Sequence, residues 1–231
     1  MKKPFLKAGY IGLSILILSV ILISVNPSGG GRLPGGFFTP VVAFEFIKTS
    51  AEVVDLFGDA ASGVQAETIS GMKLGTYIDF IYMLFYTTFL FYFSMLCKRV
   101  TGEKWFISGG VIALFVLAAD FSENIQLLSI MEKLHSGGFE NELDLLKYFT
   151  WAKWGGLSAL FISLVPFLRR SGIFGRVISV VILISAVTGS AAYLYRSVLN
   201  EIYVICIAVV FLMLFIFSFT FKIFSDQPEA G

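Results

Sequence analysis

Two carboxylates and an amide lie within a segment of the chain that is otherwise apolar enough to cross a bilayer. Asp120, Glu123 and Asn124 interrupt the apolar run over residues 105–131. In a helix, residues three and four positions apart share a face, so these three side chains should project together. A charge near the centre of a membrane helix costs at least about 2.5 to 3.5 kcal/mol, so such groups turn inward and pair, bind an ion or line water. We therefore expect a buried acidic site.

Polar residues in the neighbouring apolar runs fall at a similar depth. Asp79 lies near the start of the preceding run with Tyr82 on its face, and Lys153 lies near the start of the following run. Glu45 comes from the long loop before them, and Arg196 lies at the end of the fifth run. We expect these side chains to converge on one pocket.

Carboxylates beside a lysine can exchange protons and hold an anionic group. The predicted catalytic residues are Glu45, Asp120 and Glu123. The predicted ligand-binding residues are Asp79, Tyr82, Asn124, Lys153 and Arg196. No nucleophile is evident, because Ser122 points to another helical face and the single histidine, His135, lies in a polar loop.

The intramembrane acids outnumber the intramembrane lysine, so their charge must be balanced. Protons on the carboxyl groups, a bound cation or Arg196 would each balance it. Oxygen ligands suit Mg, Ca, Mn or Na. No ligand spacing in the sequence is diagnostic, so we predict no metal site and leave the cofactor unspecified.

The composition is that of a membrane protein. Of 231 residues, 57% are hydrophobic and 14% are charged, whereas soluble domains average about 25% charged. Since each span takes about 20 residues, we predict a single all-α domain over residues 1–231, a polytopic membrane helix bundle of about six transmembrane helices. The predicted spans are 8–25, 75–97, 105–131, 148–168, 177–198 and 202–221.

The loop between the first two spans has helical signals of its own. Thr39 before Pro40 is typical of a helix start, and Thr49 with Glu52 forms a capping-box pattern before a piece that ends at Gly58. We predict interfacial helices over about residues 40–57, which carry Glu45 to the membrane surface or below it.

Lysines and arginines concentrate in the segments that share a side with the two termini, and acids are scarce there. The positive-inside rule then predicts a bacterial cytoplasmic (inner) membrane protein with both termini in the cytoplasm and the acidic site in the outer half of the bilayer. The first apolar run is long and has no small-x-small cleavage pattern, which favours an uncleaved span over a signal peptide.

Two further patterns concern packing. Gly155, Ala159 and Ser163 are spaced by four and predict close approach of the fourth span to a neighbour. The last span is rich in phenylalanine, which predicts a lipid-facing helix.

The polar positions resemble those of a group of uncharacterised bacterial multi-pass membrane proteins. That group has a Phe-Glu helix, a Thr-capped helix, an early Asp in the next span, an Asp-x-x-Glu-Asn span and a following Lys. The matching residues are Phe44, Glu45, 49–53, Asp79, 120–124 and Lys153. The resemblance covers about residues 37–170 and implies the same site residues, but it implies no activity.

Three functions remain open. The first is an outer-leaflet pocket that binds or processes a lipid or other amphiphile, with enzymatic activity left undecided. The second is a proton- or cation-coupled transporter that protonates Asp79, Asp120 and Glu123 in turn, although no inverted repeat is visible. The third is a structural or assembly subunit in which the polar cluster only locks helices together.

The expected partners are the lipid bilayer and an amphiphilic ligand, and a homo-oligomer is an open alternative. No basic cluster interleaved with aromatic residues occurs, so we do not expect nucleic-acid binding.

Overall fold

The computed structural model describes residues 3–27, 30–58 and 63–222, and all regular structure in these ranges is helical. Six of the helices are long and apolar enough to span a membrane, which confirms the predicted polytopic bundle. They are α1 Leu6–Val25, α4 Val64–Thr101, α5 Ile107–Lys133, α6 Glu140–Arg170, α7 Gly172–Leu194 and α8 Val198–Thr220. Two short helices, α2 Pro40–Glu45 and α3 Ser50–Phe57, lie between α1 and α4.

Successive spanning helices pack side by side, and α1 packs against both α4 and α8. Both ends of the described chain meet at one end of the bundle, where the Phe5 ring lies 5.5 Å from the Phe221 ring. We call this end the terminal face. The opposite end carries α2 and α3, and we call it the loop face.

Two spanning helices extend further towards the loop face than the apolar runs predicted. α4 begins at Val64 and not near residue 75, and α6 begins at Glu140 and not near residue 148. Hydropathy marks only the part of a helix that can lie in hydrocarbon, whereas the helix itself continues into polar sequence. In α6, Glu140 and Glu142 occupy the first turn, where negative charge complements the helix dipole.

The loop helices begin where the sequence indicated. α2 starts at Pro40 after Thr39, and the Thr49 hydroxyl accepts the Glu52 backbone N–H at 3.2 Å to cap α3. The Glu52 carboxylate accepts the backbone N–H of Lys48, one residue before the expected capping-box donor. Both helices bury apolar side chains against α4, α5 and α6, so they form part of the packed core and not a loose surface layer.

The terminal face is filled by aromatic rings. Phe5 packs at 4.6 to 5.7 Å from the rings of Phe93, Phe167 and Phe217, and Phe106 packs on Phe167. All five are buried, and we call them the terminal aromatic cluster. The prediction that the phenylalanines of the last span face lipid is therefore wrong for Phe217, because α8 packs along α1 and turns this side into the bundle.

The fourth span, α6, does approach a neighbouring helix closely, as predicted, but partly through other residues than the predicted ones. A Cβ atom placed on Gly155 would meet no atom within 4 Å, whereas one placed on the adjacent Gly156 would lie 2.6 Å from Val116 Cγ2. Ser163 is buried and faces Gly109. The α5–α6 contact thus uses Gly156 and Ser163, and Gly155 lies on the open side of the helix.

Candidate functional site

A buried lysine on α6 holds three carboxylates that come from two other helices, α2 and α5. Lys153 Nζ on α6 lies 3.1 Å from Glu45 Oε1 on α2 and 3.5 Å from Asp120 Oδ1 on α5, and it also contacts Glu123 Oε2 on α5. Lys153 is 6% exposed, and Asp120 and Glu123 are almost fully buried. We call these four residues the carboxylate–lysine network.

The other carboxylate oxygens of the network receive hydrogen bonds from neutral side chains. The Tyr86 hydroxyl donates to Asp120 Oδ2 at 2.5 Å, and the Trp154 indole donates to Glu45 Oε2 at 2.9 Å. The Thr150 hydroxyl lies 2.5 Å from Glu123 Oε1 and 3.1 Å from the Glu45 backbone carbonyl. Charged groups removed from water are tolerated only with such partners.

Sequence reasoning placed Tyr86 on the same helical face as Asp79 and Tyr82, but it did not assign Thr150 or Trp154 to the site. Thr150 and Trp154 flank Lys153 on α6, and Tyr86 lies one helical turn beyond Tyr82 on α4. Their sequence neighbourhood was a signal, but tyrosine, threonine and tryptophan are common in membrane helices. Only the packing of α4 and α6 against α5 identifies their acceptors.

Asp79 lies beside the network and is held by an amide. Asn124 Nδ2 donates to Asp79 Oδ2 at 2.8 Å, which joins α5 to α4. Both residues line a cavity of about 110 Å³, which we call the acidic cavity, and Glu45 forms part of its wall. This volume suits a few water molecules or one small polar group, because a water takes about 30 Å³ in the liquid.

Tyr82 faces a different neighbour. Its hydroxyl lies 3.4 Å from Ser19 Oγ of α1, and its ring packs 5.5 Å from the Tyr86 ring. Tyr82 therefore touches the network only through Tyr86 and does not line the acidic cavity.

Arg196 lies outside the carboxylate–lysine network, contrary to the idea that it neutralises the intramembrane acids. Arg196 Nη1 lies 2.8 Å from Glu52 Oε1, and the guanidinium packs 5.2 Å from the Phe37 ring. The reason is its place in the turn between α7 and α8, from which the side chain reaches α3. Burial raises the pKa of Glu52, but hydrogen bonds from Arg196 and the Lys48 backbone outweigh it and lower that pKa below its ordinary value.

Glu201 is a further residue that sequence reasoning missed. It is 1% exposed, and its Oε1 accepts the backbone N–H groups of Phe38 at 3.0 Å and Thr39 at 2.8 Å. These N–H groups precede α2, so Glu201 fixes the start of the helix that carries Glu45. Glu201 directly precedes the predicted span over residues 202–221, and nothing in the sequence links it to residues 38 and 39.

Three acids contact Lys153 and a fourth, Asp79, lies beside them, so an excess of negative charge has to be balanced within the site. In the described parts of the chain no group of three or more His, Cys, Asp or Glu residues is arranged to hold a metal ion. The Lys153 ammonium itself occupies the space between the three network carboxylates. Whether protons or a bound cation balance the excess stays a prediction.

Comparison of the chain with protein-family models, curated proteins and solved structures gives no significant match. Any function therefore has to come from the residues of the site and the spaces around them.

Proposed function

We propose that the protein binds a lipid or other amphiphile whose polar end enters the bundle from the loop face, next to Glu45. The observation that supports this most is the position of Glu45. It belongs to the carboxylate–lysine network, and it also lines two separate cavities of about 110 Å³ and 270 Å³. Glu45 is thus the carboxylate of the network that also borders the cavities in which a ligand could bind.

The proposal includes a place in the cell: a bacterial cytoplasmic membrane with both termini in the cytoplasm and the loop face outside. It is supported by basic residues at the terminal face, which the positive-inside rule assigns to the cytoplasm. These residues are Lys3, Lys7, Lys98, Arg99, Lys104, Arg169, Arg170, Arg176 and Lys222.

Within the site, Glu45 is the candidate acid or base. Lys153 and Trp154 orient its two oxygens, and a carboxylate held within hydrogen-bond reach of a ligand can exchange a proton with it. Asp120 and Glu123 are buried and line neither of the two cavities next to Glu45. In this proposal they are positioning residues, because they hold Lys153 and do not touch the ligand.

A proton- or cation-coupled transporter has one feature in its favour, the excess of acids over lysine. A path through the bundle would also need polar groups near the terminal face. There the terminal aromatic cluster fills the space between α1, α4, α6 and α8. A pocket that opens at the loop face fits this arrangement better than a transport path.

The test is the set of lipids that copurifies with the protein from its host membrane. We expect the wild-type protein to retain one amphiphile class above its share of the membrane, and Glu45→Gln to lose that enrichment while the variant stays folded at the temperature of purification. Glu67→Gln, which changes an acid at the loop end of α4 that lines neither cavity, is the matched control. If the retained lipids match the bulk membrane in wild type and both variants, the network is a helix lock and the proposed function is wrong.

A further inference from the structure

The cavity of about 270 Å³ at the loop face is cationic, the opposite of the network behind it. Lys48, Lys147 and Arg196 all line it. Glu45 is the one acid among its lining residues, and that carboxylate is already engaged by Lys153 and Trp154. Among the described residues neither lysine ammonium pairs with a carboxylate. We call this space the cationic cavity.

Two of its lining residues, Arg196 and Asn200, also carry buried hydrogen-bond donors that have no described acceptor. Asn200 is fully buried, and its Oδ1 accepts the Ser197 backbone N–H at 3.1 Å, which fixes the amide orientation and leaves Nδ2 unpaired. Arg196 uses Nη1 for Glu52, while its Nε and Nη2 are buried without a partner. Buried donors without partners are costly. Three donors beside two free lysines match a ligand with several anionic oxygens.

The cationic cavity adjoins an apolar groove and shares three lining residues with it. Trp151, Tyr193 and Leu194 line both the cationic cavity and a groove of about 510 Å³ between α6 and α7. Small residues leave the groove open, including Gly155 and Ala159. From Trp151 to Ile162 the groove follows α6 for about 16 Å. It therefore runs along two spanning helices, where hydrocarbon chains lie in a bilayer.

We propose that an anionic phospholipid binds here, with its phosphate in the cationic cavity and one acyl chain in the groove. Arg196 and Asn200 would donate to the phosphate oxygens, and Lys48 and Lys147 would supply charge at the rim. This deepens the proposed function by naming the amphiphile class, and it rests on that function only in placing the lipid's polar end beside Glu45. The phosphate site itself needs no chemistry at Glu45.

Trp151 gives a direct test, because it lines both the cationic cavity and the groove. The protein is placed in nanodiscs as Trp105→Phe, which removes the tryptophan near the terminal face and leaves Trp151 and the nearby Trp154 as emitters. Quenching is measured with lipids brominated on the acyl chain. We expect brominated phosphatidylglycerol to quench more than brominated phosphatidylcholine at equal mole fraction. The double variant Lys48→Gln with Lys147→Gln should weaken the phosphatidylglycerol preference by about tenfold or more.

Lys73→Gln is the matched control, since Lys73 is also near the loop face but lines neither cavity. It should keep the full preference. Equal quenching by the two lipids in the wild-type protein would overturn the proposal. So would a case in which millimolar inorganic phosphate binds but no lipid preference exists, because the site would then take a free anion.

The two proposals fail separately. A phosphatidylglycerol preference that persists when Glu45→Gln leaves the copurified lipids unchanged would keep the lipid site and refute the function at Glu45. If Glu45→Gln loses the lipid enrichment but Trp151 shows no headgroup preference, the function at Glu45 is kept and the anionic lipid site is refuted.

Discussion

Glu45 Oε1 lies 3.1 Å from Lys153 Nζ, although Glu45 belongs to a six-residue loop helix and Lys153 to a helix that spans the bundle. The loop therefore supplies one of the counter-charges of a buried ammonium. Any movement of α2 away from the bundle would leave Lys153 with less compensation and would open the acidic cavity. The loop helix and the buried charges are thus mechanically coupled.

Removing the ammonium should destabilise the bundle. In Lys153→Met, three carboxylates lose their common cation, and loss of one partner from a buried ion pair costs about 3 to 5 kcal/mol. We expect a lower unfolding free energy in denaturant titrations of the detergent-solubilised protein. Lys147→Met, which changes an exposed lysine on the same helix, should have little effect. An unchanged midpoint for Lys153→Met would show that the network contributes nothing to the fold.

Glu201 should control the order of α2. Glu201→Ala leaves the backbone N–H groups of Phe38 and Thr39 without their buried acceptor, and hydrogen bonds to a charged group contribute about 1.5 to 3 kcal/mol. We expect faster amide hydrogen exchange over residues 38–45 and no change in α7. Glu201→Gln keeps one carbonyl oxygen and should lie between wild type and Glu201→Ala. Equal exchange in all three proteins would refute a positioning role.

The contact between α5 and α6 should tolerate a larger side chain at Gly155 but not at Gly156. A side chain at Gly156 meets Val116 Cγ2 at 2.6 Å, while the same addition at Gly155 meets nothing within 4 Å. Overpacking costs about 1 to 3 kcal/mol, so Gly156→Val should lower the thermal midpoint. Gly155→Ala should keep or raise it, because alanine is the better helix former. The opposite order would place the close contact on the other face of α6.

The Glu52–Arg196 pair should make the loop face sensitive to acid. The pKa of Glu52 is lower in the folded protein than its ordinary value of 4.5, so the unfolded state binds the proton more tightly. The stabilisation is complete above the ordinary value and is lost as the pH falls through the lowered one. We expect the protection factors of the α3 amides, corrected for the pH dependence of intrinsic exchange, to fall over that acidic range in the wild type. Glu52→Gln should remove this pH dependence, and an identical pH profile for the two would contradict the assignment.

Much of the fold could be predicted from local patterns in the sequence. Long apolar runs define the spans, and Thr39 with Pro40 defines the start of α2. Charged residues inside an apolar run stand out in the sequence. Asp120, Glu123 and Lys153 could therefore be chosen as site residues and placed at one depth before their contacts were known. Their chemical role stays a prediction.

The partners of these residues depend on three-dimensional packing. The spacing of Tyr86 from Asp79 placed it on the right face, but its bond to Asp120, and that of Thr150 to Glu123, exist only because α4 and α6 pack on either side of α5. Arg196 was placed with the wrong acids because the sequence does not show in which direction a turn residue points. The cationic cavity was missed for the same reason, since residues 48, 147 and 200 are far apart in the chain and meet only at the loop face.

The most direct test of the central claim is an experimental structure of the protein crystallised from a lipidic phase. We expect Glu45 and Lys153 at ion-pair distance, with ordered ligand or lipid density beside Glu45 that continues from the cationic cavity into the groove between α6 and α7. A structure in which α2 packs down on these spaces, so that side chains fill them and no density lies next to Glu45, would contradict the claim. The carboxylate–lysine network would then serve only to hold the helices together.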